Sequence, residues 1–450
     1  MAKKLSLFEC QACGYQSSKW MGKCPNCNAW DEFLELNETQ QEVLKETAKK
    51  GSSKKSKAIP ITQIAEENFQ RFTSHDRELD LVLGGGIVPG GLTLIGGSPG
   101  VGKSTLLLKI GGNLASGGKR VLYVSGEESL GQIKIRADRL DANHDNLYLL
   151  SEIKLEQVFL ELAEKKYDAL IIDSIQTLYS EKLSSAPGSV SQVREITFQL
   201  MRHAKDNDLA TFIIGHITKE GSIAGPRVLE HMVDTVLYFE GDSSKELRIL
   251  RGFKNRFGST SEVAIFEMTS KGLTSAADIS KRFFNKKESS IGSAITVTME
   301  GTRPILLEVQ ALVSESGYPT PKRSCTGFEQ NRLTMLLALL EKKLDLPFNE
   351  YDVFVNIAGG IKITETATDL AIIAAIISSF RDRPISKDTV FIGEVSLIGD
   401  IRDIHNLDIR LREAITQGFK RAIVPKLPIQ KNDNIKCFEA TEVSQLIEWM

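Results

Sequence analysis

Apolar residues in the middle of the chain fall into short runs separated by helix-length stretches. GLTLIGG, RVLYVSG, DALIID, ATFIIGH and TVLYFEG are rich in β-branched residues and bounded by glycine, aspartate or charge. Runs of this kind, alternating with helical segments, predict a buried parallel sheet covered by helices. A second α/β pattern follows it. SAITVTMEG, PILLEVQALV, TVFIGEVSLIGD and RAIVP read as strands, and RLTMLLALLEKKL and ATDLAIIAAIISSF as amphipathic or buried helices. Two polar stretches with too few apolar side chains to bury a core separate these patterns. The expected division is 1–35, a linker over 36–58, a first α/β domain over 59–275, a junction over 276–290 and a second α/β domain over 291–450.

The composition excludes several classes. Of the 450 residues 41% are hydrophobic and 25% charged, as in an ordinary globular protein rather than a fibrous or disordered chain. No apolar run approaches the ~20 residues a membrane span needs. The start of the chain does not read as a signal peptide, so a cytoplasmic location without membrane partners is expected. The net charge of -2 does not exclude nucleic acid, because only the contacting surface must be basic.

Four of the six cysteines cluster as Cys10-x2-Cys13 and Cys24-x2-Cys27. Two such turns can bring four thiolates around one ion, and a closed four-ligand set predicts a structural zinc. A redox CxxC pair is the rival reading. Tyr15, Trp20, Trp30 and Phe33 are expected to form the mini-core of this small module rather than base-stacking platforms.

Residues 97–104 read GSPGVGKS, between the strand LTLI and the helix TLLLKIGGNLA. Gly97, Ser98, Pro99, Gly100, Val101, Gly102, Lys103, Ser104 and Thr105 are therefore expected to bind ATP. The glycines let backbone N–H groups approach phosphate, Lys103 reaches the β- and γ-phosphates, and Ser104 ligates Mg²⁺. Asp173, ending the strand YDALIID, is placed to hold Mg²⁺ through water. Glu127 and Glu128 end the neighbouring strand, and either can orient the attacking water. His216, ending ATFIIGH, is a candidate phosphate sensor or a structural strand-end histidine.

With these motifs in hand, the chain resembles the bacterial RadA/Sms DNA-repair proteins, which are RecA-like ATPases. The resemblance rests on the four-Cys finger, on LGGGIVPGGLTLIGGSPGVGKSTLL and on GHITKEGSIAGPRVLEHMVDTVLYFEGD. It rests also on KNRFG at 254–258 and a Lon-protease-like C-terminal domain. The implied fold class is α/β: a RecA-like P-loop ATPase core between a zinc finger and a Lon-protease-like domain. The resemblance implies a DNA-dependent ATPase that processes recombination intermediates by branch migration or helicase-like translocation. It further implies single-stranded and branched DNA and the RecA recombinase as partners, a hexameric homo-oligomeric ring, and Glu127 as the catalytic glutamate. Lys254 and Arg256 are two residues apart, so on an extended segment both point the same way. From there they would reach a neighbouring subunit's ATP or a DNA backbone, against the alternative of a solvated hairpin. Lys219 and Arg227, in the Gly/Pro-rich segment 218–227, are candidate DNA contacts.

A Lon-like domain raises a second function, an ATP-dependent protease or chaperone. Lon proteases use a Ser–Lys pair. Here ETATD (365–369) puts Ala367 at the nucleophile position, and GDIRDI (399–404) offers Arg402 and no lysine. Arginine cannot serve as a neutral base, and Thr368 has no evident lysine to activate it. The domain therefore reads as a scaffold whose Arg303, Lys322, Arg323, Arg410, Arg412, Lys420 and Arg421 are candidate phosphate contacts. A nucleotide-switched regulatory scaffold is a third reading.

Overall fold

The computed structural model describes residues 8–10, 16–17, 19–25, 30, 33–35, 60, 62, 70–216, 227–241, 247–275, 290–360, 362–426 and 434–449. The chain divides into two compact units, Met1–Ser275 and Ala276–Met450.

The first unit begins with three short strands, β1 (Phe8–Cys10), β2 (Gln16–Ser17) and β3 (Phe33–Glu35), paired in the order β2-β1-β3. Then come α1 (Arg77–Val82), β4 (Leu92–Gly97), α2 (Lys103–Ser116), β5 (Val121–Ser125), α3 (Leu130–Arg139), β6 (Leu147–Ser151) and α4 (Leu155–Glu164). These are followed by β7 (Ala169–Asp173), α5 (Val190–Asn207), β8 (Ala210–His216), α6 (Arg227–Met232), β9 (Thr235–Glu240), β10 (Leu247–Asn255), β11 (Val263–Thr269) and β12 (Gly272–Ser275).

The nine strands β4–β12 form one sheet in the order β12-β11-β10-β9-β4-β8-β7-β5-β6. From β9 to β6 the pairing is parallel. β4, β5 and β7 are buried along their whole length, and two apolar clusters cover opposite faces, one through Leu107, Ile110 and Ile171, the other through Leu94, Ile172 and Ile196. This is why these strands read as continuous apolar runs. The antiparallel strands β10–β12 extend the sheet beyond the sequence expectation. Their face-to-face alternation (iBiB over Leu247–Leu250) is weaker in the sequence than the central apolar runs.

The second unit carries β13 (Ser293–Glu300), β14 (Arg303–Glu315), β15 (Arg323–Thr326), α7 (Gln330–Leu344), β16 (Tyr351–Ile357), α8 (Asp369–Arg381), β17 (Thr389–Phe391), β18 (Glu394–Val395) and β19 (Ile401–Arg402). It ends in α9 (Leu407–Thr416), β20 (Arg421–Val424), β21 (Lys436–Glu439) and α10 (Ser444–Trp449). Seven strands form a mixed sheet, β15-β16-β14-β13-β17-β20-β21, and β18-β19 a hairpin. The expected strand TVFIGEVSLIGD is split: TVF joins the sheet, and the rest supplies β18 and the turn leading to β19. Residues 369–378 of α8 are all buried, as its unbroken apolar sequence requires. No helix among the described residues is long and apolar enough to cross a membrane.

Candidate nucleotide site and its distal basic cluster

The loop after β4 is built for close backbone approach. Gly97, Gly100 and Gly102 have φ of 157°, 76° and 112°. A Cβ on Gly97 would lie 2.5 Å from the Phe239 carbonyl, whereas one on Gly100 would meet nothing within 4 Å. The loop is thus tight beneath and open above, with Ser98, Pro99 and Gly100 exposed. Gly102 caps α2, so Lys103, Ser104 and Thr105 form its first turn, where N–H groups and the helix dipole favour an anion. Lys103 is buried, and its Nζ donates to the carbonyls of Gly97 (2.8 Å) and Ser98 (3.0 Å). Burial lowers its pKa, while the charges of Asp173 and Glu127 oppose that shift. Those two carboxylates therefore lie within electrostatic reach of the lysine. Arg248, which the sequence reading missed, donates from Nε to the Val101 carbonyl at 3.0 Å and braces the loop from β10.

The two glutamates separate. Ser125 Oγ accepts from the backbone N–H groups of Glu127 (3.4 Å) and Glu128 (3.2 Å) and fixes their turn. Glu127 Oε1 accepts from Ser174 Oγ at 3.0 Å, next to Asp173. Glu128 is ion-paired with Arg136 of α3. Asp173 Oδ2 accepts from the phenol of Tyr123 at 2.5 Å. Sequence reasoning missed Tyr123, Ser174 and Arg136. Only the hydroxyl inside the otherwise apolar run VLYV hinted at the first.

His216 ends β8 beside Gly97 in register, so its backbone borders the loop; its side chain and Lys219 lie outside the described residues. Arg227 begins α6, and its side chain also lies outside them.

Lys254 and Arg256 are not brought to this loop. β10 runs antiparallel to β9, with Lys254 opposite Val236 and Asn255 opposite Thr235. β9 runs parallel to β4, with Thr235 opposite Thr93 and Phe239 opposite Gly97. At ~3.3 Å per residue Lys254 is therefore level with Leu94, about 10 Å along the strand from Gly97, and Arg256 is level with Leu92 at the start of β4, about 16 Å away. Neither is a free cation on a solvated hairpin. Lys254 Nζ donates to the carbonyls of Glu230 (2.6 Å), His231 (3.3 Å) and Val233 (2.7 Å), capping the C-terminus of α6. Its partial burial and the nearby Arg256 lower its pKa. Arg256 Nη1 pairs with Asp234 at 3.2 Å. The other KNRFG residues are structural. Asn255 donates to the Val82 carbonyl at 3.3 Å, the Phe257 carbonyl accepts from Arg71 at 2.6 Å, and a Cβ on Gly258 would lie 2.8 Å from Gly84 Cα.

In the N-terminal module Cys10 and Cys24, one from each CxxC turn, are both fully buried in one cluster with Phe33. That is the donor chemistry a thiolate-bound metal requires; Cys13 and Cys27 lie outside the described residues. The aromatic mini-core differs from expectation. Trp20 and Trp30 are 53% and 68% exposed, the first held by an Nε1 hydrogen bond to the Phe33 carbonyl and the second lying under Lys23. Phe8, Met21 and Phe33 fill the interior instead. Tyr15 lies outside the described residues.

In the second unit Ala367 is buried in a short 3₁₀ turn before α8, and Thr368 Oγ1 donates to the Glu365 carbonyl at 3.2 Å. Arg402 is exposed. Arg410 is not a phosphate contact: it is 3% exposed and grips Glu365 through two bonds of 2.7 and 2.6 Å, with a third to the Val297 carbonyl. Arg332 likewise clamps the buried Asp369. Arg323 pairs with Glu341, Arg412 pairs with Asp408, and Lys322 lies over Tyr318. Arg303 is half-buried, and Lys420 and Arg421 are exposed.

A glycine loop opening a helix at the end of a central parallel strand, with a strand-end aspartate beside it, defines a P-loop ATPase. Comparison with known families agrees. Residues 60–222 match a model described as AAA domain, residues 8–35 one described as rubredoxin metal binding domain, and residues 329–427 one described as subunit ChlI of Mg-chelatase. DNA repair protein RadA of Campylobacter jejuni is 64% identical over 450 residues, covering 100% of both chains. Its namesake in Helicobacter pylori strain 26695 is 60% identical over 450 residues, again 100% of both. That of Bacillus subtilis is 48% identical over 450 residues, 100% of this chain and 98% of the other. The chain belongs to the RadA family of DNA repair proteins. The AAA match implies ATP and Mg²⁺ at the loop, and the N-terminal match implies a metal at the cysteines.

Proposed function

We propose that the chain is a DNA-dependent ATPase of recombinational repair, working in the cytoplasm as a hexameric ring that drives branch migration or translocation on single-stranded DNA. RecA and single-stranded or branched DNA are its partners. The observation that carries this reading is the position of Arg256 at the opposite end of β4 from the nucleotide loop, with Lys254 beside it. Arg256, half of whose side chain is exposed there, is directed to a neighbour's ATP or a DNA backbone, and Lys254 holds α6 beside it. Repetition around a ring multiplies such local basic segments, and Lys219 and Arg227 add to them.

Within one subunit Lys103 leaves the Gly97 and Ser98 carbonyls for the β- and γ-phosphates, and the N–H groups of residues 100–105 close on them. Ser104 and Asp173 would hold Mg²⁺, whose charge would offset that of the transferred phosphoryl. Glu127, steadied by Ser174, orients the attacking water. Glu128 is engaged with Arg136 and plays no part. His216 relays phosphate occupancy to the segment that follows it. Cys10, Cys13, Cys24 and Cys27 hold a structural zinc.

The C-terminal unit is a scaffold and not a peptidase. Ala367 is without a nucleophile, Thr368 is buried and bonded to a backbone carbonyl, and the flanking Glu365 and Asp369 are locked by arginines. The test is ATP hydrolysis by the full chain with and without single-stranded DNA. DNA should raise the rate, Lys103→Ala should abolish it, and Arg256→Ala should remove the stimulation. Equal rates with and without DNA would overturn the reading, as would casein cleavage that Thr368→Ala abolishes.

A further inference from the structure

Tyr123 is fully buried on β5 in the apolar cluster that includes Leu107 and Ile171. Phenylalanine would fill that space equally well, so packing does not account for the hydroxyl. A buried phenol needs a partner, and this one donates to Asp173 Oδ2 at 2.5 Å. The contact follows from the register. Ser125 lies opposite Asp173 across β5 and β7, and Tyr123 precedes Ser125 by two residues on the same face. Tyr123 and Asp173 are thus diagonal neighbours, within reach of an aromatic side chain.

We propose that Tyr123 is a positioning residue for the metal-binding carboxylate. Its O–H holds one oxygen of Asp173, which fixes the plane of the carboxylate and leaves Oδ1 to serve Mg²⁺ or its bound water. Hydrogen bonds behind a metal-binding group typically contribute 10–100-fold to metal affinity. The inference rests on the nucleotide-site reading above.

The test is binding of a fluorescent ADP analogue to the full chain, titrated with Mg²⁺ and separately in EDTA. Tyr123→Phe should leave metal-free binding unchanged and raise the Mg²⁺ concentration for half-maximal enhancement about tenfold. Asp173→Asn should remove most of the enhancement, and adding Tyr123→Phe to it should change nothing further, because the two act as one unit. An unaltered Mg²⁺ dependence in Tyr123→Phe would overturn the inference. So would equal weakening with and without Mg²⁺, which marks a structural role alone. If Lys103→Ala binds the analogue as tightly as the natural chain, the nucleotide-site reading itself fails, and this inference with it.

Discussion

Arg256 reaches back from the end of β10 to the buried carboxylate of Asp234, and that carboxylate also accepts the Leu92 N–H at 3.2 Å. Leu92 opens β4, the strand that ends in the phosphate loop. One side chain thus ties the distal cation to the strand that carries the nucleotide site. The Arg256 side chain is 53% exposed and that of Asp234 4%, so the two ends of the pair differ in what they support. An exposed arginine contributes about 0–1 kcal/mol through such a pair. Losing Asp234 strips a partner from a buried amide, at about 1–3 kcal/mol. Asp234→Ala should lower the melting temperature of the first unit by several degrees, whereas Arg256→Ala should leave it nearly unchanged and reduce DNA-stimulated turnover. Equal destabilisation by both, seen by calorimetry, would make Arg256 a structural residue.

Glu127 and Glu128 should part in the same manner. Glu127→Gln removes a carboxylate steadied beside Asp173 and should slow hydrolysis about 100-fold or more. Glu128→Gln should keep turnover within a few-fold and instead loosen α3, because Arg136 loses its partner. Steady-state kcat with nucleotide binding measured in parallel separates the two. A larger rate loss in Glu128→Gln would reverse the assignment.

Gly258 approaches backbone rather than a yielding side chain. A Cβ there would stand 2.8 Å from Gly84 Cα, and overpacking of this kind costs about 1–3 kcal/mol. Gly258→Ala should therefore lower thermal stability and weaken DNA stimulation by displacing Lys254 and Arg256. A variant as stable as the natural chain would show that the 254–258 segment can move off the Gly84 turn.

Cys10 and Cys24 are buried together with Phe33, with Phe8 and Met21 packed against them. Elemental analysis should find about one zinc per chain, and Cys10→Ser or Cys24→Ser should remove most of it. Metal content unchanged in both variants would assign the cluster another role.

The central sheet was legible because strands buried on both faces leave unbroken apolar runs, and GSPGVGKS is self-identifying between a strand and a helix. Residues that act across strands were not. Tyr123 meets Asp173, and Arg256 meets Asp234, through register alone, and nothing in the linear order announces a diagonal pair. Lys254 and Arg256 both contact the 230–234 segment. Their two-residue spacing does not foretell that Lys254 caps α6. Burial is harder still to read: Arg410 resembles any surface cation in the sequence yet is buried against Glu365, and the indoles of Trp20 and Trp30 face outward where the pattern predicts a core.

Glu365 and Arg410 supply a test in acid. Burial alone would raise the Glu365 carboxyl, but the hydrogen bonds and charge of Arg410, with the Met299 N–H, outweigh it and hold the pKa below its ordinary value. A depressed carboxylate contributes stability that is present above its unfolded pKa of ~4.3 and lost as pH falls through the folded value. The second unit should therefore lose stability progressively below about pH 4. Glu365→Gln leaves a buried guanidinium, 3% exposed, without its counter-charge. Breaking a buried pair from one side costs about 3–5 kcal/mol. That variant should melt well below the natural chain at pH 7, and the gap should narrow as pH falls towards 3, because the natural chain then loses the same charge. Melting curves between pH 3 and 7 check this, and a gap independent of pH would show that the pair contributes through shape and hydrogen bonding rather than through its charge.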